Sequence, residues 1–319
     1  MMRPSLYISR LLPDPVMALA REQFQLVKEP LDALPSPAAL RDGLCQADAA
    51  IVTLGDRIDA TTIHDATRLK ILANYAVGYN NIDLAAAQQQ GLIVTNTPDV
   101  LTDATADLTW ALLLATARRL VEGDALVRSG VWTGWSPTQL LGTDVSGKTL
   151  GIIGMGRIGQ AVAQRAAGFR MTVLYHQRHP LTAATGPQKC EYRSLHGLLE
   201  ESDIVTIHVP LTPDTRHLVG AHELRRMKPT ALLINTARGP IVDEGALVEA
   251  LTHGTIAGAG LDVYEEEPVL HQALARVQQA VLLPHIGSAT LQARVNMGLI
   301  CLKNIRAVLN GRPAPNQIH

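Results

Sequence analysis

Cysteine is scarce in this chain, and the three that occur, Cys45, Cys190 and Cys301, lie far apart in the sequence. An odd number of widely spaced cysteines does not indicate a disulfide framework, and no C-x-x-C pair of the kind found in zinc and redox sites is present. We therefore expect three buried structural thiols in a protein of a reducing compartment.

Charge of either sign is not in excess, since the net charge is −1. Proteins that bind nucleic acids or membrane surfaces carry a basic face, so we expect neither partner. No apolar run reaches the length that spans a bilayer. The first residues, MMRPSLYISRLLPDP, also lack the long apolar segment of a secretory signal. These absences predict a cytoplasmic protein without membrane contact.

What the chain does have is enough apolar sequence for two packed domains: 47% of its 319 residues are apolar and 18% are charged. Segments with strand and helix character alternate in both halves, which indicates α/β domains with parallel sheets. We expect one domain from residues 1–98 together with 287–319, and another from residues 99–286. A helix predicted from Leu291 to Leu309 returns the chain to the first of these domains.

A second predicted helix, Ala104 to Leu120, is apolar on nearly every side over its middle. A helix on the outside of one domain needs only an apolar stripe, so a further surface is expected to cover it. The simplest candidate for that surface is a partner subunit. The alternative is burial inside one large core.

The strongest motif is Gly154-Met155-Gly156-Arg157-Ile158-Gly159, which follows a strand-like run and opens an Ala-rich helix. In this context G-x-G-x-x-G is typical of dinucleotide binding. Gly154 makes the turn, Gly156 lets a pyrophosphate approach, and Gly159 lets helix and strand pack closely. The helix N-terminus favours the phosphates. The alternative is a glycine-rich turn in an ordinary α/β domain.

The end of the next predicted strand bears on the choice of cofactor. NAD-binding sites usually place Asp or Glu there to bind the ribose 2′-hydroxyl, whereas this chain has His176-Gln177-Arg178-His179. No carboxylate would repel a 2′-phosphate, and Arg178 can pair with one. The sequence thus predicts that NADP(H) is preferred, with NAD(H) as the alternative if these are solvated loop residues.

Chemically capable residues follow three predicted strands of the second domain. Arg238 follows one, the Glu265–Glu267 run follows the next, and His285 follows the third. In an open α/β sheet, ligands bind beyond the carboxyl ends of the strands. Arginine can hold a carboxylate, histidine can protonate an alkoxide, and a carboxylate can stabilise the imidazolium. Together these residues suit reduction of a 2-oxo acid. Individually they could be a loop arginine, a solvated acidic face and a core histidine.

Other histidines do not predict a metal site. The pairs His176 and His179, and His217 and His222, have no cysteine or carboxylate companions at metal-ligand spacing. We therefore expect them to be surface residues.

The ordered set of motifs resembles the D-isomer-specific 2-hydroxyacid dehydrogenase family over essentially the whole chain. The matching stretches are Val77–Asp83, Gly154–Gly159, His208–Thr212, Asn235–Gly239, Gly260–Tyr264, Glu267-Pro268 and Pro284–Thr290. Within the family, Trp132–Trp135 and His285–Thr290 look most like the glyoxylate/hydroxypyruvate reductases, which often use NADPH.

The resemblance implies a role for each matching residue. Arg238 would bind the substrate carboxylate and carbonyl, His285 would be the acid/base, and Glu267 would orient it. The backbone N–H groups of Val77 and Gly78 would bind the substrate carboxylate, with Ser288 adding a contact. Trp135 would reach a neighbouring subunit's substrate site or plug the space between domains. The cofactor contacts implied beyond Gly154, Gly156 and Gly159 are Arg157, Ile158, His176, Gln177, Arg178, Val209, Pro210, Thr215, Thr236, Ala237, Asp262 and Gly287.

The fold that the resemblance implies is a Rossmann-like dinucleotide-binding domain inserted into a flavodoxin-like substrate domain, in a homodimer. The implied activity is NADPH-dependent reduction of glyoxylate and hydroxypyruvate to D-2-hydroxy acids. Alternatives within the family are dehydrogenases of D-lactate, phosphoglycerate or phosphite. An alternative of another class is a dinucleotide-sensing scaffold of the corepressor type, which can retain the same three catalytic residues.

Overall fold

The computed structural model describes residues 3–181 and 190–318. The chain divides into two compact units, Met1–Leu101 with Ser288–His319, and Thr102–Gly287. The observed boundaries fall slightly after the expected ones at residues 98 and 286. A helix that belongs to the second unit begins at Thr102, and the N–H of Gly287 donates to Asp262 of the same unit.

The first unit contains a five-stranded sheet in the order β2-β1-β3-β4-β5, with every neighbouring pair parallel. This is the flavodoxin-like order, which agrees with the fold expected for this domain. The elements are β1 (Ser5–Ile8), α1 (Asp14–Gln23), β2 (Gln25–Leu26), α2 (Pro37–Gln46), β3 (Ala49–Val52), α3 (Ala60–Asp65), β4 (Ile71–Asn74), α4 (Leu84–Gln90) and β5 (Ile93–Thr95).

The strands at the centre of this sheet are buried on both faces. Every residue of β3 and of β4 is buried, as expected for parallel strands that helices cover on both sides. Asp83 caps α4 by accepting a hydrogen bond from the N–H of Ala86 at 3.0 Å, and Gly91 ends it in the left-handed region, with φ at 69°.

The second unit contains a seven-stranded parallel sheet in the order β12-β11-β10-β9-β6-β7-β8. The order reverses beside β6, as in the Rossmann fold. The elements are α5 (Thr102–Ala117), α6 (Leu120–Arg128), β6 (Thr149–Ile153), α7 (Arg157–Ala166), β7 (Thr172–His176), β8 (Cys190–Tyr192), α8 (Leu195–Glu201), β9 (Ile204–Ile207), α9 (Ala221–Leu224), β10 (Leu232–Asn235), α10 (Glu244–Thr252), β11 (Gly258–Leu261) and β12 (Ala280–Leu282).

The predicted helix from Ala104 to Leu120 is wrong at its C-terminal end. Helix α5 stops at Ala117, Arg119 adopts a left-handed backbone with φ at 54°, and a separate helix α6 begins at Leu120. The α5 face that includes Trp110, Leu112 and Leu113 is buried within its own unit, so that face needs no partner subunit.

Helix α11 (Leu291–Leu309) confirms the predicted return of the chain to the first unit. Thr290 caps it by accepting a hydrogen bond from the N–H of Ala293. The hydroxyl of Tyr75, just past β4, donates to the carbonyl of Arg294, and a Cβ at Gly298 would meet Val16 of α1 at about 2.5 Å. In residues 3–181 and 190–318, no helix, α11 included, has the length and apolar character required to cross a bilayer.

Candidate active site

The glycine turn after β6 has the geometry that a dinucleotide requires. Gly154 has φ at 100°, and a Cβ there would lie 2.7 Å from the carbonyl carbon of His208. A Cβ at Gly156 would enter open space, so a phosphate can approach the backbone. A Cβ at Gly159 would clash with the carbonyl oxygen of Gly154, which shows how closely α7 packs against the end of β6.

Helix α7 presents its N-terminus directly after this turn. Its N-cap, Gly156, offers no side chain to accept hydrogen bonds from the first turn. Those N–H groups and the positive end of the helix dipole are suited to an anion. Arg157 is exposed and Ile158 half-buried at the start of the helix.

The residues that follow β7 form a loop without an acidic side chain. His176 ends the strand, and its Nδ1 lies 3.1 Å from the carbonyl oxygen of Arg193. Gln177 donates to the carbonyl oxygen of His179 at 2.6 Å. Arg178 is exposed and has no carboxylate partner within the described ranges. Sequence analysis missed Arg193, whose side chain pairs with Glu201 at 2.9 Å and whose backbone carbonyl lies beside His176 because of the register of β7 with β8.

Hydrogen bonds within the loop after β9 fix its conformation. Thr215 Oγ1 donates to the carbonyl oxygen of Pro210 at 2.7 Å and accepts from the N–H of Thr212 at 2.8 Å. Val209 follows His208, whose backbone contacts Gly154 as described above. Burial lowers the pKa of His208 to about 3, so its imidazole is neutral near pH 7 and adds no charge beside the glycine turn.

Arg238 lies on a tight turn at the end of β10 that Asn235 organises. Asn235 is 1% exposed; its Oδ1 accepts from the N–H of Ala237 at 3.0 Å, and its Nδ2 donates to the carbonyl oxygen of Arg238 at 2.9 Å. Burial lowers the pKa of Arg238, and the charge of Glu267 opposes that shift. A guanidinium nevertheless stays protonated in proteins, so Arg238 is a half-buried cation.

The turn after β10 packs against the segment that follows β11. A Cβ at Gly239 would clash with the backbone of Tyr264, so only glycine permits this approach. Thr236, in the same turn, is tied to α5 by a 2.8 Å hydrogen bond between its hydroxyl and that of Thr109. This packing places Arg238 in the electrostatic field of Glu267.

His285 is hydrogen-bonded to one of the three consecutive glutamates. Its Nδ1 lies 2.7 Å from Oε2 of Glu267, whose Oε1 accepts from the N–H of Tyr264 at 3.0 Å. Burial would raise the pKa of Glu267, but the hydrogen bond and the positive charge of His285 outweigh it and lower the pKa. Glu265 instead contacts His217 at 2.5 Å, and Glu266 is exposed. Residue spacing alone does not show which of the three glutamates pairs with His285.

A buried carboxylate fixes the turn that bears His285. Asp262, fully buried at the end of β11, accepts the N–H of Ile286 on Oδ1 and the N–H of Gly287 on Oδ2, each at 2.8 Å. His285 itself has φ at 55°, a left-handed conformation that costs energy for a residue with a Cβ. The two hydrogen bonds offset this strain, a role for Asp262 that sequence analysis missed.

In the first unit, two asparagines hold the carbonyl groups of Val77 and Gly78. Asn96 donates to the carbonyl oxygen of Val77, and Asn74 to that of Gly78, both at 2.8 Å. The C=O of Val77 lies in the same planar peptide as the N–H of Gly78, so Asn96 fixes that N–H as well. The N–H of Val77 lies in the peptide of the Ala76 carbonyl, which accepts from the N–H of Thr97 at 2.9 Å. Sequence analysis singled out the two loop residues but not the asparagines. Ser288 lies in the same unit and is half-buried.

Comparisons with known proteins place this geometry in a family. The family model for the NAD-binding domain of D-isomer-specific 2-hydroxyacid dehydrogenases matches residues 110–287. The glyoxylate reductase of Thermococcus gammatolerans is 48% identical over 322 residues, covering 100% of this chain and 96% of the relative.

The chain belongs to the D-isomer-specific 2-hydroxyacid dehydrogenase family. It is therefore an oxidoreductase that uses a nicotinamide dinucleotide.

Solved structures agree with this assignment. The NADPH-dependent glyoxylate/hydroxypyruvate reductase of Sinorhizobium meliloti, in complex with NADP and malonate, superposes with a TM-score of 0.89 at 34% identity and covers 99% of this chain and 97% of its own. A protein from Thermus thermophilus superposes with a TM-score of 0.92 at 46% identity, covering 99% of this chain and 100% of its own. The two-domain dehydrogenase fold thus extends over the whole chain.

Proposed function

We propose that this dehydrogenase reduces glyoxylate and hydroxypyruvate with NADPH, and that His285 is the general acid. The observation that carries the proposal is the 2.7 Å contact between His285 Nδ1 and Glu267 Oε2. Arg238, Glu267 and His285 follow β10, β11 and β12, which are consecutive strands of one sheet. The names of the relatives support glyoxylate as substrate, and an arginine beside a histidine suits any short 2-oxo acid.

His285 has one ring nitrogen committed and one available for the substrate. Nδ1 donates to Glu267, so the proton transferred to the carbonyl oxygen of the substrate comes from Nε2. The lowered pKa of Glu267 keeps that carboxylate ionised, and its negative charge stabilises the imidazolium. In the oxidation direction the same nitrogen accepts the proton from the 2-hydroxyl group.

Arg238 binds the carboxylate of the substrate in this proposal. A guanidinium can form two parallel hydrogen bonds to a carboxylate, and partial burial strengthens them. The backbone N–H groups of Val77 and Gly78 and the hydroxyl of Ser288 are the further substrate contacts that we propose. The support for the two N–H groups is that their peptides are fixed, by Asn96 on the Val77 carbonyl and by the Thr97 N–H on the Ala76 carbonyl.

The cofactor, once bound, supplies the hydride. The turn at Gly154, Gly156 and Gly159 fits its pyrophosphate, with Arg157 and Ile158 at the start of α7. The other cofactor contacts that we propose all lie in the second unit: His176, Gln177, Val209, Pro210, Thr215, Thr236, Ala237, Asp262 and Gly287. We further propose that Arg178 pairs with the 2′-phosphate, because it is exposed after β7 and the loop from 176 to 179 contains no carboxylate.

We also propose that the enzyme is a homodimer. Helix α6 buries none of its residues, and α6 and the segment after it expose large apolar side chains. These are Leu120, Val121, Val127, Val131, Trp132, Trp135 and Leu141, which we call the α6 surface. Trp135 is 82% exposed, so the described chain does not cover it, which favours a contact with a partner subunit over a plug within one chain.

The test is turnover of glyoxylate, hydroxypyruvate and pyruvate with NADPH and with NADH, followed by the absorbance of the reduced nicotinamide. We expect the first two acids to react fastest, with NADPH. His285→Ala should lower kcat by about 10²–10⁴-fold, and Arg238→Ala should also raise KM for the acid. Tight binding of NADPH without turnover of any acid would contradict the proposal and favour a dinucleotide-sensing scaffold.

A further inference from the structure

We propose that His196, His222 and Glu223 form a binding site for one divalent transition-metal ion, with Zn²⁺ as the best match. The cluster belongs to the second unit and shares no residue with the candidate active site. It therefore does not rest on the proposed function.

The three side chains converge from two separate helices. His196 lies on α8, His222 and Glu223 lie on α9, and one ligand atom from each falls within 4.8 Å of the others. The two imidazole rings meet edge to face, with centroids 5.4 Å apart. His222 Nδ1 already lies 2.9 Å from Glu223 Oε1.

A metal ion would require only a small contraction of this cluster. Zinc binds imidazole nitrogen and carboxylate oxygen at about 2.0–2.2 Å, which puts the ligand atoms of a tetrahedral site about 3.4 Å apart. Both histidines are exposed, so their side chains can rotate into place without disturbing the core.

The backbone that bears the ligands is already fixed. Leu198 and Leu199 anchor α8, and Leu224 anchors α9, each at most 1% exposed. Arg226 of the segment after α9 forms an ion pair with Glu200 of α8. The two helices are thus held side by side before any ion binds, which reduces the entropic cost of assembling the site.

The side chain of Glu223 is held facing the histidines. Its Oε2 accepts the N–H of Gly220 at 3.2 Å, and its Oε1 lies 2.9 Å from His222 Nδ1. One carboxylate oxygen is thus fixed by the backbone, and the other is directed at the histidines.

The ligand set selects the class of ion. Two imidazoles and one carboxylate suit Zn²⁺, Ni²⁺ and Cu²⁺, whereas Ca²⁺ and Mg²⁺ prefer oxygen ligands throughout. Three protein ligands leave further positions for water on this exposed face. An ion here would link α8 to α9 and stabilise the folded state by mass action.

Sequence analysis found no metal companions for His222 because it compared that residue with His217. In the structure, His217 contacts Glu265 instead. His196 lies close to His222 because α8 packs against α9. Residue spacing gives no sign of this proximity.

The experiment is calorimetric titration of Zn²⁺, as the metal salt alone, into the full chain without a histidine tag. We expect one site per chain, and we expect His196→Ala and His222→Ala each to weaken it by at least about tenfold, since loss of a partner of a metal ligand already costs 10–100-fold. Zn²⁺ should raise the Tm of the wild type and not that of either variant.

His253→Ala is the matched control, because His253 also pairs with a glutamate, Glu249, at 3.3 Å but belongs to no three-ligand cluster among the described residues. It should bind Zn²⁺ as the wild type does. Without metal, all variants should retain the wild-type Tm and turnover with 2-oxo acids. The proposal is overturned if the wild type binds no Zn²⁺, if both cluster variants bind it unchanged, or if Mg²⁺ binds equally well at this site.

Discussion

The Nδ1 atom of His285 and the Oε2 atom of Glu267 lie 2.7 Å apart, and this hydrogen bond couples the proposed acid to an ionised carboxylate. In Glu267→Gln the hydrogen bond can persist while the charge is lost. We expect kcat to fall and the alkaline limb of the kcat profile for reduction to move to lower pH, because the imidazolium loses its stabilising charge. Rates measured across pH for both variants provide the check, with the exposed neighbour Glu266→Gln as control. Identical profiles for the two variants would remove Glu267 from the mechanism.

Arg178 should determine the choice between the two cofactors. Arg178→Ala removes the proposed partner of the 2′-phosphate, and a hydrogen bond to a charged group is worth about 1.5–3 kcal/mol, so kcat/KM for NADPH should fall by about 10–100-fold. The value for NADH should change little, because NADH has no phosphate at that position. Arg276→Ala, which replaces an exposed arginine elsewhere in the second unit, should change neither value. A parallel loss with both cofactors in Arg178→Ala would argue for a general effect on the fold.

Asn96 should influence substrate binding through the carbonyl of Val77. Asn96→Asp removes the amide donor of a 2.8 Å hydrogen bond and replaces it with an acceptor. One hydrogen bond contributes about 0.5–1.5 kcal/mol, so KM for glyoxylate should rise by up to about tenfold while KM for NADPH stays unchanged. Steady-state kinetics with each substrate varied in turn give both constants. Asn310→Asp, at an exposed position directly after α11, is the control, and equal KM values in the two variants would show that Asn96 has no positioning role.

His208 should make the fold sensitive to acid. Its pKa is lowered by burial from 6.5 to about 3, so the unfolded chain binds this proton at a higher pH than the folded chain does. The stability that results is present above pH 6.5 and is lost as the pH falls toward 3. The Tm of His208→Gln should therefore decline less steeply than that of the wild type in this window. His64→Gln, at a side chain that is 88% exposed, should retain the wild-type slope. If the imidazole of His208 protonated freely in the folded wild type, His208→Gln would retain that slope as well, which would contradict the prediction.

The α6 surface should hold two subunits together. Val127 and Val131 are 59% and 67% exposed, and a pair of carboxylates buried there would face a large desolvation cost. The double variant Val127→Glu with Val131→Glu should therefore shift the mass measured by light scattering toward that of one chain. Val269→Glu replaces an apolar side chain that is 63% exposed elsewhere in the same unit, and it should leave the mass unchanged. A wild-type chain that is monomeric at all concentrations would contradict the proposal.

The sequence was informative wherever local pattern determines structure. The helix of Leu291–Leu309 has the predicted bounds, because its apolar residues recur at a helix period. The break at Arg119 had no such signal, since neither glycine nor proline marks it.

Within the candidate site, the sequence indicated the side chains to which we assign the chemistry but not what holds them in place. Arg238 and His285 could be found because each follows a predicted strand. Asp262 fixes the turn after His285 through a hydrogen bond to Gly287, which is 25 residues away in the sequence. Asn96 fixes Val77 through a hydrogen bond that spans 19 residues. Such contacts follow from strand order, which no residue pattern contains.

The return of α11 to the first unit has a consequence for how the protein is made. That unit is assembled from the residues up to Leu101 and those from Ser288 onward, whereas the second unit is one continuous segment. During synthesis, β4 emerges from the ribosome long before the helix whose backbone Tyr75 contacts. Because domains fold as units, the segment translated second can fold first. The first unit then cannot complete its fold until its last helix, α11, has been synthesised.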